Sequence, residues 1–309
     1  MILCVNAHAA IDQTIVIRRY TLNAIHRPEQ GLALPGGKGA NVARACKLLG
    51  ETPVVAGWVG GHAGQFIEQG LAAEGIGTDL VHTDQESRTC LSIIDPDAHT
   101  LTELDEQGEP IPADKLREFR RRFETTVDQY AAVTLSGSLP PGVPDDFYAQ
   151  LLEIARAAGV PTILDTSGEP LRLGLAGGPI VVKPNRHELA ALVGHELNTA
   201  PHILAAAVDL ATFHHLNVVV SLGAEGAIAT NGALTLHIRP PAVPIISAVG
   251  SGDALVAGIA YGLVHALPIP EAVKQGVAAG TANALTLGAG RFSLDDFNRI
   301  LSQVSVTRD

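Results

Sequence analysis

A doubly wound α/β fold, with a mostly parallel sheet flanked by helices and a small β-sheet lid, is what the sequence predicts, on three observations. Short continuous apolar runs alternate with segments of helical periodicity along most of the chain. Strands apolar on both faces belong to a parallel sheet covered by helices. Two stretches instead alternate apolar and polar residues, which marks strands with one solvated face. Finally, 46% of the 309 residues are hydrophobic and 17% are charged, enough apolar side chain for a large core without staples. The chain therefore reads as a single domain, 1–309, with the alternating stretches, approximately 12–33 and 88–104, forming either an edge hairpin or a lid over a cleft, the lid being preferred.

Taken in order, Met1 to Val5 opens on a short strand-like run. Asp12 to Ala33 alternates through Ile15, Ile17 and Tyr20 and then turns polar. Val42, Ala45, Leu48 and Leu49 give an amphipathic helix that stops at Gly50. Val54 to Val59 is a buried strand, and Gly64 to Gly75 is helical by the spacing of Phe66, Leu71 and Ala72. Arg88 to Leu104 alternates through Leu91, Ile93, Leu101 and Leu104, as in a small antiparallel accessory sheet. Ala131 to Leu135 is a strand, and Asp145 to Ala158 is a helix with acidic residues in its first turn. Val160 to Asp165, Pro179 to Lys183 and Asn217 to Leu222 are further strands separated by helical segments.

The 32 acidic residues exceed the 21 Lys and Arg, for a net charge of −11. Such a balance excludes nucleic acid as a partner, because phosphate backbones need basic surface. Cys4, Cys46 and Cys90 have no close spacing, so neither a zinc site nor a disulfide framework is indicated. The longest apolar run, Ala254 to Ile269, is interrupted by glycines, His265 and Pro268 and falls short of the ~20 residues of a membrane span. The start of the chain lacks the basic and long apolar regions of a signal peptide. The expectation is a cytoplasmic protein with no membrane partner.

Three motifs can carry chemistry. Gly250-Ser251-Gly252-Asp253 precedes a helical run, and successive amides at a helix N-terminus form an anion site. A carboxylate beside such a loop is useful if it accepts a proton from a hydroxyl that attacks the bound anion; the alternative is that Asp253 only caps the helix. Gly36-Gly37-Lys38-Gly39-Ala40-Asn41 is no Walker loop, since Leu32 and Gly39 stand where Gly and Ser or Thr are required. Lys38 among glycines, with Asn41 one turn on, suits close backbone approach to a polyhydroxy or phosphorylated ligand. Lys183-Pro184-Asn185-Arg186-His187-Glu188 leaves a strand for a helix at the carboxyl edge, where open α/β sheets bind ligands. Asn185 and Glu188 fit water around Mg²⁺ and fit a capping box equally well.

These three motifs, with Ser136-Gly137-Ser138-Leu139-Pro140 and Ser221-Leu222-Gly223-Ala224-Glu225-Gly226, occur in the order that resembles the ribokinase-like pfkB carbohydrate kinases over nearly the whole chain. Thr102 to Gly108 and Leu164 to Gly168 are similar to the 1-phosphofructokinase and tagatose-6-phosphate kinase branch. The resemblance implies a ribokinase-like fold with a small β lid, which favours the lid over the edge hairpin, and ATP-dependent phosphorylation of a ketohexose phosphate to a bisphosphate, with Mg²⁺. It assigns Asp253 as catalytic base and Gly250, Ser251 and Gly252 as the anion hole. Asp12, Gly37, Lys38 and Asn41 match sugar positions; Arg27, Lys38 and Arg88 match cations for the sugar's phosphate, with Ser138 nearby. Lys183, Asn185, Ser221, Gly223 and Gly226 match nucleotide positions, Glu188 organises magnesium through water, and Gly280 and Asn283 flank adenine.

Two departures stand out: His8-Ala9 replaces the branch's Asn-Pro, and the hole reads Gly-Ser-Gly-Asp in place of Gly-Ala-Gly-Asp. A kinase for a neutral sugar or nucleoside, and a non-catalytic sugar-phosphate sensor, are the competing readings. An arginine pair argues against a neutral sugar, and Asp253 argues against a sensor. The lid strands, with an apolar solvated face, offer a homodimer surface.

Overall fold

The computed structural model describes residues 1–308. The chain enters through β1 (Ile2–Asn6) and rises into β2 (Ala10–Val16) and β3 (Gln30–Gly36) before α1 (Lys38–Leu48). Then β4 (Pro53–Gly60), α2 (Gly61–Ala73), β5 (Gly77–Thr83), β6 (Arg88–Asp95) and β7 (Thr100–Asp105) follow. The second half runs α3 (Ala113–Thr126), β8 (Ala132–Ser136), α4 (Phe147–Ala157), β9 (Thr162–Asp165), α5 (Gly168–Gly174), β10 (Val181–Val182), α6 (Arg186–Val193) and α7 (Ala200–His214). It continues through β11 (Asn217–Ser221), β12 (Ala227–Thr230), β13 (Thr235–Arg239), α8 (Ser251–Val264), α9 (Ile269–Asn283) and α10 (Leu294–Leu301) to β14 (Ser305–Arg308).

Ten strands form one sheet in the order β14-β13-β12-β11-β10-β9-β8-β1-β4-β5. From β11 to β5 every pairing is parallel, and β12 to β14 add an antiparallel edge. The continuous apolar runs conceal a period of two. Ile2 and Cys4 pack with α1, α2, α8, α9 and α10 on one face, whereas Leu3 and Val5 pack with α3 to α7 on the other. Winding reverses between β1 and β8, so the crevice at the carboxyl ends of these strands is the natural ligand site.

Strands β3-β2-β6-β7 form a separate four-stranded sheet. The expected small sheet is present, but it is mixed and not purely antiparallel, because β2 and β6 pair in parallel. The reason lies in the main sheet: β2 follows β1 and β6 follows the parallel β5, so both leave the same edge in the same direction. A hairpin signal at Asn231-Gly232, between two runs suited to strands, marks the antiparallel pair β12 and β13. Among the described residues no helix is long and apolar enough to cross a membrane.

Candidate active site

A cavity of about 610 Å³ opens at the switch point, floored by the main sheet and roofed by the small one. The roof uses its alternation. Residues two apart, Asp12 and Thr14, Cys90 and Ser92, Glu103 and Asp105, line the cavity. Polar side chains of the lid strands thus face the ligand space.

The glycine loop after β3 is pinned by buried Asn6 at the end of β1. Its amide donates to the Gly36 carbonyl and accepts from Gly39 N–H, at 3.0 and 3.1 Å. Gly37 has φ 90°, and a Cβ there would meet Asn6 Oδ1 at 2.4 Å, so only glycine fits. The loop hands over to α1, whose Asn41 sits between the two carboxylates of the cavity. Asn41 Nδ2 donates to Asp253 Oδ2 at 3.0 Å and lies 3.3 Å from Asp12 Oδ2. The direction of that amide is fixed by buried Arg44, which can only donate and binds Asn41 Oδ1 at 3.0 Å. Arg44 also binds the Pro35 and Ala289 carbonyls and Glu74. Neither Asn6 nor Arg44 was singled out in the sequence; an asparagine ending a buried strand and an arginine within an apolar helix face were the available signals.

Asp253 lies in the first turn of α8 and caps nothing, because its carboxylate turns toward Asn41. Gly250 takes the N-cap position with φ 78° and packs so closely that a Cβ would come within 2.4 Å of the Ala289 Cβ. Burial raises the Asp253 carboxyl to about 7; Asp165 adds to this, while Lys38, the Asn41 hydrogen bond and Lys183 oppose it. A group poised there can take a proton near neutral pH. Burial likewise raises the Asp12 carboxyl, against the Asn41 and Gly37 hydrogen bonds. Lys38 is held charged, Asp165 contributing most and Asp253 and Glu188 adding to it.

At the carboxyl ends of β9 and β10, Lys183 pairs with Asp165 at 2.9 Å, both almost fully buried. Asn185 and Glu188 form the reciprocal capping box of α6, at 2.8 and 2.9 Å, while both still line the cavity. The two readings of that motif therefore coexist: one Glu188 oxygen caps the helix, and the side chain borders the cleft.

The cavity brings together Asp12, Gly37, Lys38, Asn41, Arg88, Ser138, Lys183, Asn185, Glu188, Ser221, Gly250, Gly252 and Asp253. Five expected contacts lie elsewhere, and Ser251 stands just behind the wall. Arg27 is exposed in the β2–β3 connection, outside the cavity, because that polar segment runs beyond the strands that form the roof. Asn283 is fully buried and holds the anion turn from behind, donating to the Val249 carbonyl at 2.8 Å and to Ser251 Oγ at 3.3 Å. Gly280 lets α9 approach α8, since a Cβ would sit 2.7 Å from the Ser251 carbonyl. Gly226, with φ 90°, passes against the Ile238 carbonyl as the chain turns into β12. Gly223 lines an adjoining cavity that shares Ser221 and Asn185 with the first. His8, part of the His8-Ala9 departure at the sugar end, lines the main cavity, as do Cys90, Glu103 and Asp105; the period of two in the lid strands is the signal for the last three.

Glycine amides at a helix N-terminus, a carboxyl beside them that can take up a proton and cations in the same cavity are the groups a phosphotransferase site on an α/β scaffold needs. The chain belongs to the pfkB family of carbohydrate kinases, whose model matches residues 6–296. It is 33% identical to a tagatose-6-phosphate kinase of Staphylococcus epidermidis over 309 residues, covering 99% of both chains. Phosphofructokinase-2 from Escherichia coli, solved in complex with potassium, superposes with a TM-score of 0.89 at 30% identity over 98% of each chain. A possible 1-phosphofructokinase from Thermotoga maritima gives 0.91 at 29% identity, over 100% of this chain and 99% of its own. The protein is an ATP-dependent carbohydrate kinase.

Proposed function

We propose that the protein transfers the γ-phosphoryl group of ATP to a hydroxyl of a ketohexose phosphate, giving a ketohexose bisphosphate. The observation that carries this reading is a single cavity with Asp253 beside the Gly250 turn and Lys38 and Arg88 also lining it. The acceptor hydroxyl loses its proton to Asp253 as its oxygen attacks phosphorus, and the amides of the turn receive the charge on the transferring group. Lys38 and Arg88 hold the phosphate the sugar already carries; Arg27 has no part in this within one chain. Both the tagatose-6-phosphate kinase and phosphofructokinase relatives support a phosphorylated ketohexose.

The fit to Mg²⁺ is as a nucleotide-borne ion. Among the described residues no group of three or more His, Cys, Asp or Glu forms a metal cage. Asp165, whose Oδ1 pairs with Lys183 and whose Oδ2 has no hydrogen-bond partner, and Glu188 line the cavity where waters of such an ion would sit. When bound, the ion neutralises charge on the phosphates. ATP and sugar phosphates are cytoplasmic metabolites, and that is where we place the enzyme.

A panel of sugars and sugar phosphates with Mg-ATP, read by ADP release, tests the assignment. Turnover of a ketohexose phosphate is expected, and preference for a neutral sugar or a nucleoside overturns it.

We further propose that the lid joins two copies of the chain. Leu22 and Ile25, 85% and 89% exposed, and Leu104 expose apolar side chains on the lid. A phosphofructokinase-2 structure described as tetrameric supports assembly in the family. Light scattering should give a dimer for the wild type and a monomer for the Leu22→Asp/Ile25→Asp variant; an unchanged mass for the variant rejects this surface.

A further inference from the structure

His8 lies between β1 and β2, at the seam between the main sheet and the lid. Its Nε2 is 3.0 Å from the Gln107 carbonyl oxygen, and its Nδ1 is 3.0 Å from Ser138 Oγ. A carbonyl only accepts, so Nε2 carries the proton. Burial, then the Arg88 guanidinium, lowers the ring's pKa to about 4, against the Gln107 carbonyl and Asp105. At neutral pH Nδ1 is therefore bare and accepts. Ser138 has one proton to donate, and in this arrangement it goes to His8. The Ser138 oxygen is left facing the cavity with lone pairs alone. A phosphate oxygen needs donors, so this hydroxyl is the wrong polarity for the sugar's phosphate, the role the resemblance implied for it. Room for the ring is provided at Gly108, with φ 74°, where a Cβ would stand 3.0 Å from His8 Nε2.

We propose that His8 is a specificity-determining positioning residue. Through the Ser138 hydroxyl it presents a hydrogen-bond acceptor to the sugar end of the cavity. Ser138 receives a hydroxyl proton of the ketohexose phosphate, and the phosphate is left to Arg88 and Lys38. This rests on the ketohexose-phosphate reading above.

Two substitutions separate the two ends of the ring. Asparagine places an amide oxygen near the position of Nδ1 and cannot reach Gln107, whereas glutamine places an amide N–H near Nε2 and offers nothing at Nδ1. His8→Gln and Ser138→Ala are expected to raise KM for the sugar phosphate by about 3–10-fold, the size of one neutral hydrogen bond. The kcat and the KM for ATP should stay near wild type in both. His8→Asn should restore most of the sugar affinity, and the His8→Gln/Ser138→Ala double variant should be no worse than either single one. If His8→Gln does not fold, Ser138→Ala and His8→Asn carry the same comparison. A wild-type enzyme that turns over a ketohexose phosphate while His8→Gln and Ser138→Ala keep its KM overturns the inference alone. So does loss of affinity in His8→Asn but not in His8→Gln, which would make the ring a clasp for the lid. A wild type that turns over no ketohexose phosphate overturns the functional reading first and this inference with it.

Discussion

The floor and the roof of the cavity are built on opposite principles. On the floor, Asn41, Arg44, Asp253 and Asn283 are buried and hydrogen-bonded to one another or to backbone, so their geometry is set before any ligand arrives. On the roof, β7 is exposed at five of its six positions; Leu101 shares the cavity face with Glu103 and Asp105, and Leu104 faces solvent on the other side. A strand with so little buried surface opens at low free-energy cost. The groups suited to chemistry thus sit on the rigid part, and the enclosure of the cavity falls to the part with the least buried surface.

The sharpest test of the floor is Asp253→Asn. It should lower kcat by roughly 10²–10⁴-fold through loss of the proton acceptor, with KM for ATP within a few-fold. Retention of half the turnover would show the carboxylate to be dispensable. The same substitution should stabilise the fold. The unfolded chain ionises this carboxyl near 3.8 and the folded chain near 7, so between those values the folded state holds a proton the unfolded state has lost. Raising the pH through that window weakens folding, and at pH 8 the cost is fully present. Differential scanning calorimetry at pH 8 should then give a Tm for Asp253→Asn roughly 2–6 °C above wild type; a lower Tm would contradict the burial argument.

At the cations, Arg88→Ala should raise KM for the sugar phosphate by about 10–150-fold. One charge-assisted hydrogen bond contributes roughly 1.5–3 kcal/mol, at ~1.4 kcal/mol per decade. Activity on the matching neutral sugar should hardly change. Steady-state kinetics on both substrates decide it, and equal losses on the two would mean that Arg88 supports the lid and not the phosphate.

Acid should act on turnover through Asp253. With the Asp253 carboxyl near 7, kcat/KM should fall about tenfold per pH unit below that value, since only the ionised form accepts a proton. A profile flat from pH 5.5 to 8 would count against Asp253 as the base.

The smallest effect is expected in hydrogen exchange. Amides of β2, β3, β6 and β7 should slow severalfold when the sugar phosphate and a non-hydrolysable ATP analogue are both present, while β1 and β8 stay unchanged. Identical exchange in the lid with and without ligands would leave it an edge sheet and not a closing lid.

Much of this was legible in the chain because it is local. Apolar runs such as Asn217–Leu222 and the glycine-rich turns before α1 and α8 declare themselves through periodicity and backbone need. The two alternating stretches announced a second sheet. What depends on pairing across long separations was not legible. The parallel partnership of β2 with β6 follows from where β1 and β5 end, and the direction of the Asn41 amide is set by Arg44 and read out on Asp253, 212 residues away. Asn283 could be marked as belonging to the site, but only packing shows that it holds the Gly250 turn from behind. The sequence by itself determined the layers, the turns and the kinds of group available for catalysis, since these depend on residues a few positions apart. Tertiary structure alone decided which groups meet, which are desolvated and which way their protons point, because those quantities belong to contacts between distant segments.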